Sequence, residues 1–256
     1  MKHGDFTKLA KYYVDRPGYS LAVLKMLKNH IMKETGRNML QVADIGAGTG
    51  KLTENLEQIG LTGYAVEPND AMRAEGVRLF ENRDTFYWLA GSAENTSLPD
   101  DYVDWILMGS SFHWTDSEKA ITEFHRVLKK GGFFTAIWNP RNIASSTLHM
   151  EIEDIVYSEV PNIKRVSSGS TVTTEEMYEK MCGMGLFENI ILIEAPYYEH
   201  MTKERYMNIW KSVNDIRVQA GEERFQRILN KIEHKLKGLD DIDVPYLARA
   251  WTVCAV

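Results

Sequence analysis

A chain of 256 residues with 44% apolar and 26% charged side chains has the make-up of a soluble globular protein, with enough length to bury a large core. Thirty-six acidic against thirty basic residues leave a formal charge of −6, so no overall field draws a polyanion and nucleic acid is not expected as a partner. Cys182 and Cys254 fit no metal or redox spacing, and there is neither a signal-like N-terminus nor a run of about eighteen apolar residues, which together predict a cytoplasmic protein without membrane or metal.

Residues 6–20 hold Tyr12, Tyr13, Asp15, Arg16, Pro17, Gly18 and Tyr19, an aromatic and basic cluster closed by a Pro-Gly turn signal. Leu21, Leu24, Leu27 and Ile31 then trace one face of a helix and are expected in the core, so that residues 1–35 read as an N-terminal helical arm. Next, Leu40, Val42, Ala43 and Ile45 lead into Gly46, Gly48 and Gly50, and Leu52, Leu56 and Ile59 follow at helical spacing. That pattern predicts a buried strand, a tight glycine turn and a helix. Glycine in such a turn can take positive φ and lets a ligand approach the backbone, while the helix N-terminus offers unpaired N–H groups. A nucleotide-like ligand fits. The dinucleotide fingerprint puts its third glycine three residues after the second, but here that position is Lys51 and the third glycine is Gly50. This departure counts against a nicotinamide oxidoreductase, as does the lack of a Tyr-x-x-x-Lys dyad after the fourth strand.

Residues 63–66 read as a second strand closed by Glu67 and Pro68, with Glu67 standing 21 positions after Gly46. A carboxylate at that tip can accept hydrogen bonds from vicinal ribose hydroxyls, and Asn69 or Asp70 can cap the helix that follows. Residues 85–90 form a third strand, followed by the turn Gly91-Ser92-Ala93-Glu94 and a loop at 98–101. Residues 102–108 are almost continuously apolar, as in a parallel sheet covered on both faces. Beyond Met108 comes Gly109-Ser110-Ser111-Phe112-His113-Trp114. Ligands of open α/β sheets bind past the carboxyl ends of the strands, so this segment should face the reaction site. His113 is the candidate base, because imidazole titrates near neutrality, with shaping of the pocket as the alternative role.

Thr115 to Glu118 read as a capping box, and Ala120, Ile121, Phe124, Val127 and Leu128 as one helical face stopped by Gly131-Gly132. Residues 133–138 form the fifth strand. Trp114 and Trp138 are candidate aromatic walls, and Arg141, Lys164 and Arg165 are candidate contacts to an anionic acceptor. Five strands alternating with helices predict a doubly wound α/β fold. Farther on, the pattern gives helices at 147–160 and 174–184, the latter capped by Thr173 or Thr174, and a polar loop at 161–174 between them. A strand at 188–195, helices at 202–213 and 221–237 and a last strand at 246–256 complete the chain. No repeat or linker divides residues 1–256, which read as a single domain in which segments 140–185 and 197–240 are helical insertions covering the site.

The run Asp44-x-Gly46-x-Gly48-x-Gly50 resembles motif I of the class I S-adenosylmethionine-dependent methyltransferases. The tip at Glu67, the turn at Ser92 and the helix end Arg126 to Gly132 resemble later parts of that family, and beyond Arg141 the resemblance thins out. It implies a Rossmann-like, seven-stranded sheet of order 3-2-1-4-5-7-6 with an antiparallel last strand, and S-adenosyl-L-methionine as the cofactor. It further implies that Asp44, Gly46, Ala47, Gly48 and Gly50 pass beneath the methionine part and that Glu67 and Pro68 meet the ribose. Ser92, Ala93 and Glu94 would meet the adenine, although the family often has Asp where Ser92 stands. Met108 and Gly109 would complete the cofactor site, and Tyr12 and Arg16, in a segment of the form Tyr-x-x-x-Arg-Pro-x-Tyr, would close over the cofactor. Segments similar to Phe112-His113-Trp114 occur in a subgroup that includes trans-aconitate methyltransferase-like enzymes, which act on small carboxylic acids. Acceptor contacts then fall to Ser110, Phe112, Trp114, Trp138 and Arg141. The expectation is methyl transfer to an oxygen of a small acid or hydroxyl compound ahead of a nitrogen, by a monomer or homodimer. A cofactor-binding protein without transfer is the alternative.

Overall fold

The computed structural model describes residues 15–164 and 171–256; Tyr12, Tyr13 and Arg165 lie outside them. Helix α1 (Leu21–Thr35) starts where the Ser20 side chain accepts from the Val23 amide and ends at Gly36, in the left-handed region. There follow β1 (Gln41–Ile45), α2 (Lys51–Gln58), β2 (Thr62–Val66), α3 (Asp70–Leu79), β3 (Phe86–Leu89), β4 (Val103–Gly109), α4 (Ser117–Val127) and β5 (Leu128–Trp138). Then come α5 (Thr147–Glu159), α6 (Thr174–Cys182), β6 (Phe187–Thr202), α7 (Lys203–Lys211), α8 (Asn214–Ala220), α9 (Glu222–Lys235) and β7 (Asp241–Ala255).

All seven strands form one sheet in the order β3-β2-β1-β4-β5-β7-β6. The first five pair in parallel, and β7 runs antiparallel between β5 and β6. Strand order reverses between β1 and β4, which opens a crevice past their carboxyl ends. Alternate residues of each strand serve opposite faces. Val42, Trp105, Leu107 and Ile137 pack under α1 and α2, whereas Ala43, Ile106, Met108, Phe134 and Trp138 pack under α4 and α6. The buried strands also carry a polar chain: Trp105 Nε1 donates to Thr135 Oγ1 at 2.8 Å, and Thr135 and Thr252 hydroxyls meet at 2.9 Å. It ties β4, β5 and β7 together inside the sheet.

A second core lies beside the sheet. There β6 and β7 run on as a two-stranded ribbon, and Met201, Ile242, Val244 and Tyr246 pack with Ile152 and Val156 of α5, Tyr206 and Trp210 of α7, and the Phe225, Ile228, Leu229, Ile232 stripe of α9. Of the segments 140–185 and 197–240, α5 and α7 to α9 join this second core, the cap, whereas α6 packs on the sheet through Met177, Met181 and Cys182.

Several boundaries differ from the pattern reading for physical reasons. Strand β6 runs to Thr202 and not to 195, because Pro196 falls on an edge strand, where its missing N–H breaks no ladder. Strand β7 begins at Asp241, five residues before 246; its Pro245 lies beyond the last β5 pairing at Trp138–Arg249. Helix α8 was not expected, and Gly221, at φ 74°, separates it from α9. The predicted capping box at Thr115 to Glu118 is a single cap: the Asp116 carboxylate accepts from the Lys119 amide, and Thr115 hydrogen-bonds the Phe112 carbonyl. Helix α4 ends at Val127, before the two glycines, and Leu128 already pairs with Val103; Gly131 takes positive φ in the irregular stretch that follows. Helix α6 ends at Cys182, with Gly183 as its C-cap, and carries the full box between Thr173 and Glu176.

Candidate active site

Chain direction at the end of β1 is reversed by three glycines, Gly46, Gly48 and Gly50, with φ of 71°, 61° and 97°. The Gly46 and Ala47 amides donate to the Val66 carbonyl at 2.8 and 3.1 Å, which fastens the turn to the end of β2. A Cβ on Gly46 would come within 2.9 Å of the Ser111 hydroxyl, so both shape and space demand glycine there. At Gly48 a Cβ would meet only a Met72 methyl at 3.5 Å; that flank of the backbone is open to a ligand.

Glu67, at the tip of β2, turns toward this bend. Its Oε2 accepts from the Gly48 amide and its Oε1 from the Asn69 amide, both at 2.8 Å. Each oxygen keeps a lone pair for a further donor such as a hydroxyl. Burial raises the Glu67 pKa, while the two amides and the Arg73 charge oppose that. Pro68 is exposed, and Asn69, not Asp70, caps α3 by accepting from the Met72 amide. Asp44 is sealed beneath the turn. Its Oδ2 accepts from the Thr53 hydroxyl at 2.6 Å, its Oδ1 has no partner, and burial pushes its pKa up to about 7. Thr53 comes from α2, whose N-cap Gly50 provides no side-chain cap for the first amides.

Along the far side, Ser92 forms a bridge with Asn95 and accepts from the Glu94 amide, Ala93 is buried, and Glu94 accepts from the Asp116 amide at 3.0 Å. From β4, Met108 is buried with its methyl beside Gly46. Gly109 leaves room for Tyr19: a Cβ there would lie 2.6 Å from the Tyr19 hydroxyl. That hydroxyl donates to Ser110 Oγ at 3.1 Å, and Ser110 sits at φ 53°, an uncommon conformation for serine. The Ser111 hydroxyl reaches the Ile45 carbonyl at 3.4 Å. Tyr19, Thr53 and Ser111 are site residues that the pattern reading did not select. Only Tyr19 left a signal, as the last aromatic of the Arg16-Pro17 segment.

His113 lies between two indoles, with ring centroids 4.8 Å from Trp114 and 6.3 Å from Trp138. Trp138 Nε1 donates to His113 Nδ1 at 3.4 Å. Packing of the ring and, secondarily, the Lys180 charge lower its pKa, so the neutral form is favoured. With Nδ1 accepting, Nε2 carries the proton. Trp114 is 43% exposed, whereas Trp138 is buried edge-on against Trp251. Phe112 is buried and packs on Phe134 in the sheet core. Arg16 donates to the Ser212 hydroxyl and carbonyl at 3.0 and 3.1 Å, which ties the entering chain to the cap. Arg141 also lies in the cap, over the Trp210 ring.

Residues 43–136 match the family model described as a methyltransferase domain. By that match this stretch is a methyltransferase domain. An uncharacterized methyltransferase of Mycobacterium tuberculosis is 40% identical over 106 residues, which cover 40% of this chain and 41% of that one; the match thus spans about two fifths of that relative. An uncharacterized methyltransferase of Schizosaccharomyces pombe is 27% identical over 264 residues, covering 96% of this chain and 94% of that one. The solved structure of a candidate type II methyltransferase from Anaeromyxobacter dehalogenans shares the fold, with TM-score 0.62 and 15% identity, over 94% of this chain and 97% of that one. S-adenosyl-L-methionine is the cofactor of methyltransferase domains of this class. The residues present fit it: the open flank at Gly48 and the Glu67 lone pairs lie at one bend, beside a buried carboxylate. No helix among the described residues is long and apolar enough to cross a membrane.

Proposed function

We propose that the protein is an S-adenosyl-L-methionine-dependent methyltransferase acting on a small-molecule acceptor, with an oxygen of an acid or hydroxyl compound as the atom methylated. The observation that carries this reading is the Glu67 carboxylate hydrogen-bonded to the Gly48 amide, which sets a hydroxyl-binding group against the glycine bend. Bound there, the cofactor supplies a methyl group on a sulfonium whose own charge activates it for in-line displacement. Gly46 to Gly50 and Glu67 hold it from below, and Tyr19 and Ser110 border the space past β4. Positioning of this kind can lower a barrier by about 7–11 kcal/mol.

In this reading His113 donates from Nε2 to the acceptor and does not remove a proton. Its Nδ1 already accepts from Trp138, which favours an acceptor that arrives ionised, such as a carboxylate. The likeness of its segment to acid-methylating enzymes favours the same starting point. With Cys182 and Cys254 both unpaired, a reducing compartment such as the cytoplasm is the proposed setting.

The test is transfer of labelled methyl from S-adenosyl-L-methionine to a panel of small carboxylic acids, phenols, alcohols and amines. Turnover on acids or hydroxyl compounds supports the reading. Turnover confined to amines moves it to nitrogen, and no turnover on any member, with the cofactor bound, leaves a binding protein instead.

A further inference from the structure

Arg141 follows the end of β5 by three residues, a distance of at most roughly 10 Å for an extended chain. The indole of Trp138 at that end touches His113, so Arg141 stands near the acceptor side of the site. A sheltered guanidinium normally places its five donors on carboxylates or carbonyls. Among the described residues Arg141 makes no hydrogen bond of normal geometry to a carboxylate or carbonyl; its guanidinium lies beside the Tyr206 hydroxyl, and the Glu153 and Asp215 charges act on it. Its ion pair with Glu153 is loose at 3.9 Å, its plane lies over the Trp210 ring at 4.6 Å, and 17% of its side chain stays open.

Two more polar groups lie around it. His149 Nε2 is buried without a hydrogen bond, the Tyr206 hydroxyl is buried beside the Arg141 guanidinium and the Trp210 indole with no hydrogen bond of normal geometry, and the two rings meet edge-on at 5.8 Å. His149 Nδ1 is occupied by the Ser146 hydroxyl at 2.9 Å. Burial raises the Tyr206 phenol against the Arg141 charge, and burial together with that charge holds His149 down to about 4, so phenol and imidazole stay neutral beside the cation. Tyr246, bridged to Arg141 through the backbone, closes another side and stacks on Tyr197. Unpaired polar groups cost free energy when sheltered. A guanidinium, a phenol and an imidazole facing one another match a single oxyanion.

We propose that Arg141, Tyr206 and His149 bind an oxyanion of the methyl acceptor, a carboxylate or a phosphate, and thereby restrict the acceptor to small acids. The identity of the ligand as acceptor rests on the methyltransferase reading; the anion site itself does not. The competing account is an internal cation that only joins α5 to α7.

The test titrates the full chain with sodium succinate and with sodium phosphate in separate arms, against sodium chloride of equal ionic strength. Tryptophan fluorescence is the readout, because Trp210 lies under the guanidinium. One arm should saturate at one site per chain and name the anion. Arg141→Met and Arg141→Lys should each weaken that binding by at least about tenfold and Tyr206→Phe by at least about threefold, with S-adenosylhomocysteine affinity within about twofold of the original. Should Arg141→Met fail to fold, Arg141→Lys and Tyr206→Phe decide. Saturation by neither anion, or equal binding by folded variants, overturns the proposal. Loss of S-adenosylhomocysteine binding with anion binding intact would sink the methyltransferase reading and leave the anion site standing.

Discussion

Asp44 is a buried carboxyl whose pKa is pushed up to about 7, chiefly by loss of solvent and despite the Thr53 hydrogen bond. A folded-state value above the ordinary 3.8 means that the folded protein holds this proton more tightly than the unfolded chain. The resulting stability is complete below about pH 4 and is lost as pH rises through about 7. Between pH 5 and pH 8 the loss amounts to about 3 kcal/mol. His149, held down to about 4, gives the opposite slope on the acid side of its range. Melting temperature across pH 5 to 8 should therefore fall more steeply in the wild type than in Asp44→Asn, and parallel curves would contradict the assignment. At His113 the expected outcome is a loss below about fivefold in kcat for His113→Gln, which keeps a donor; a general base would lose about 10²–10⁴. The Asp44, Gly46 to Gly50 and Glu67 grouping was legible in the sequence because their places follow from a strand–turn–strand frame. The sequence could not show that Arg16 joins the cap at Ser212 or that Phe112 turns into the core, since both depend on contacts distant in the chain.

At the scale of elements, buried threonines help hold the antiparallel strand β7 against β5. Thr135→Val removes an acceptor from the Trp105 indole and a partner from Thr252, leaving two buried polar groups unpaired. A destabilisation of about 1–3 kcal/mol is expected in denaturant unfolding; an unchanged midpoint would show that the chain of hydrogen bonds contributes nothing. Asp104 does comparable work at the far end of β4, where it accepts from the Gln41 amide at 2.7 Å and pairs with Arg37 and Lys129 at 3.0 Å each. Asp104→Ala should cost about 1–3 kcal/mol without altering cofactor affinity, because it lies opposite the site. Strand and helix identity was legible along the described chain apart from α8, and the bounds were sharpest as far as β5, where apolar period and glycine turns agree. Past that point the strand bounds 188–195 and 246–256 stopped beside Pro196 and Pro245, residues that an edge strand and a projecting ribbon tolerate.

For the whole molecule, two cores divide the labour. The sheet with its covering helices builds the glycine bend, while α5 and α7 to α9 on the β6–β7 ribbon form the core beside which Arg141 lies over Trp210 and Arg16 meets Ser212. The sheet order was foreseen only through family resemblance, since periodicity says nothing of which strands are neighbours. The central claim is that Glu67 and the glycine bend together grip a sulfonium nucleoside. Calorimetric titration of the folded full chain with S-adenosylhomocysteine should show one site, no heat should appear with NAD, and Glu67→Ala should weaken binding by at least about tenfold for the loss of its charge-assisted hydrogen bonds. Absence of binding by the folded wild type, or equal affinity in a folded Glu67→Ala variant, would contradict it.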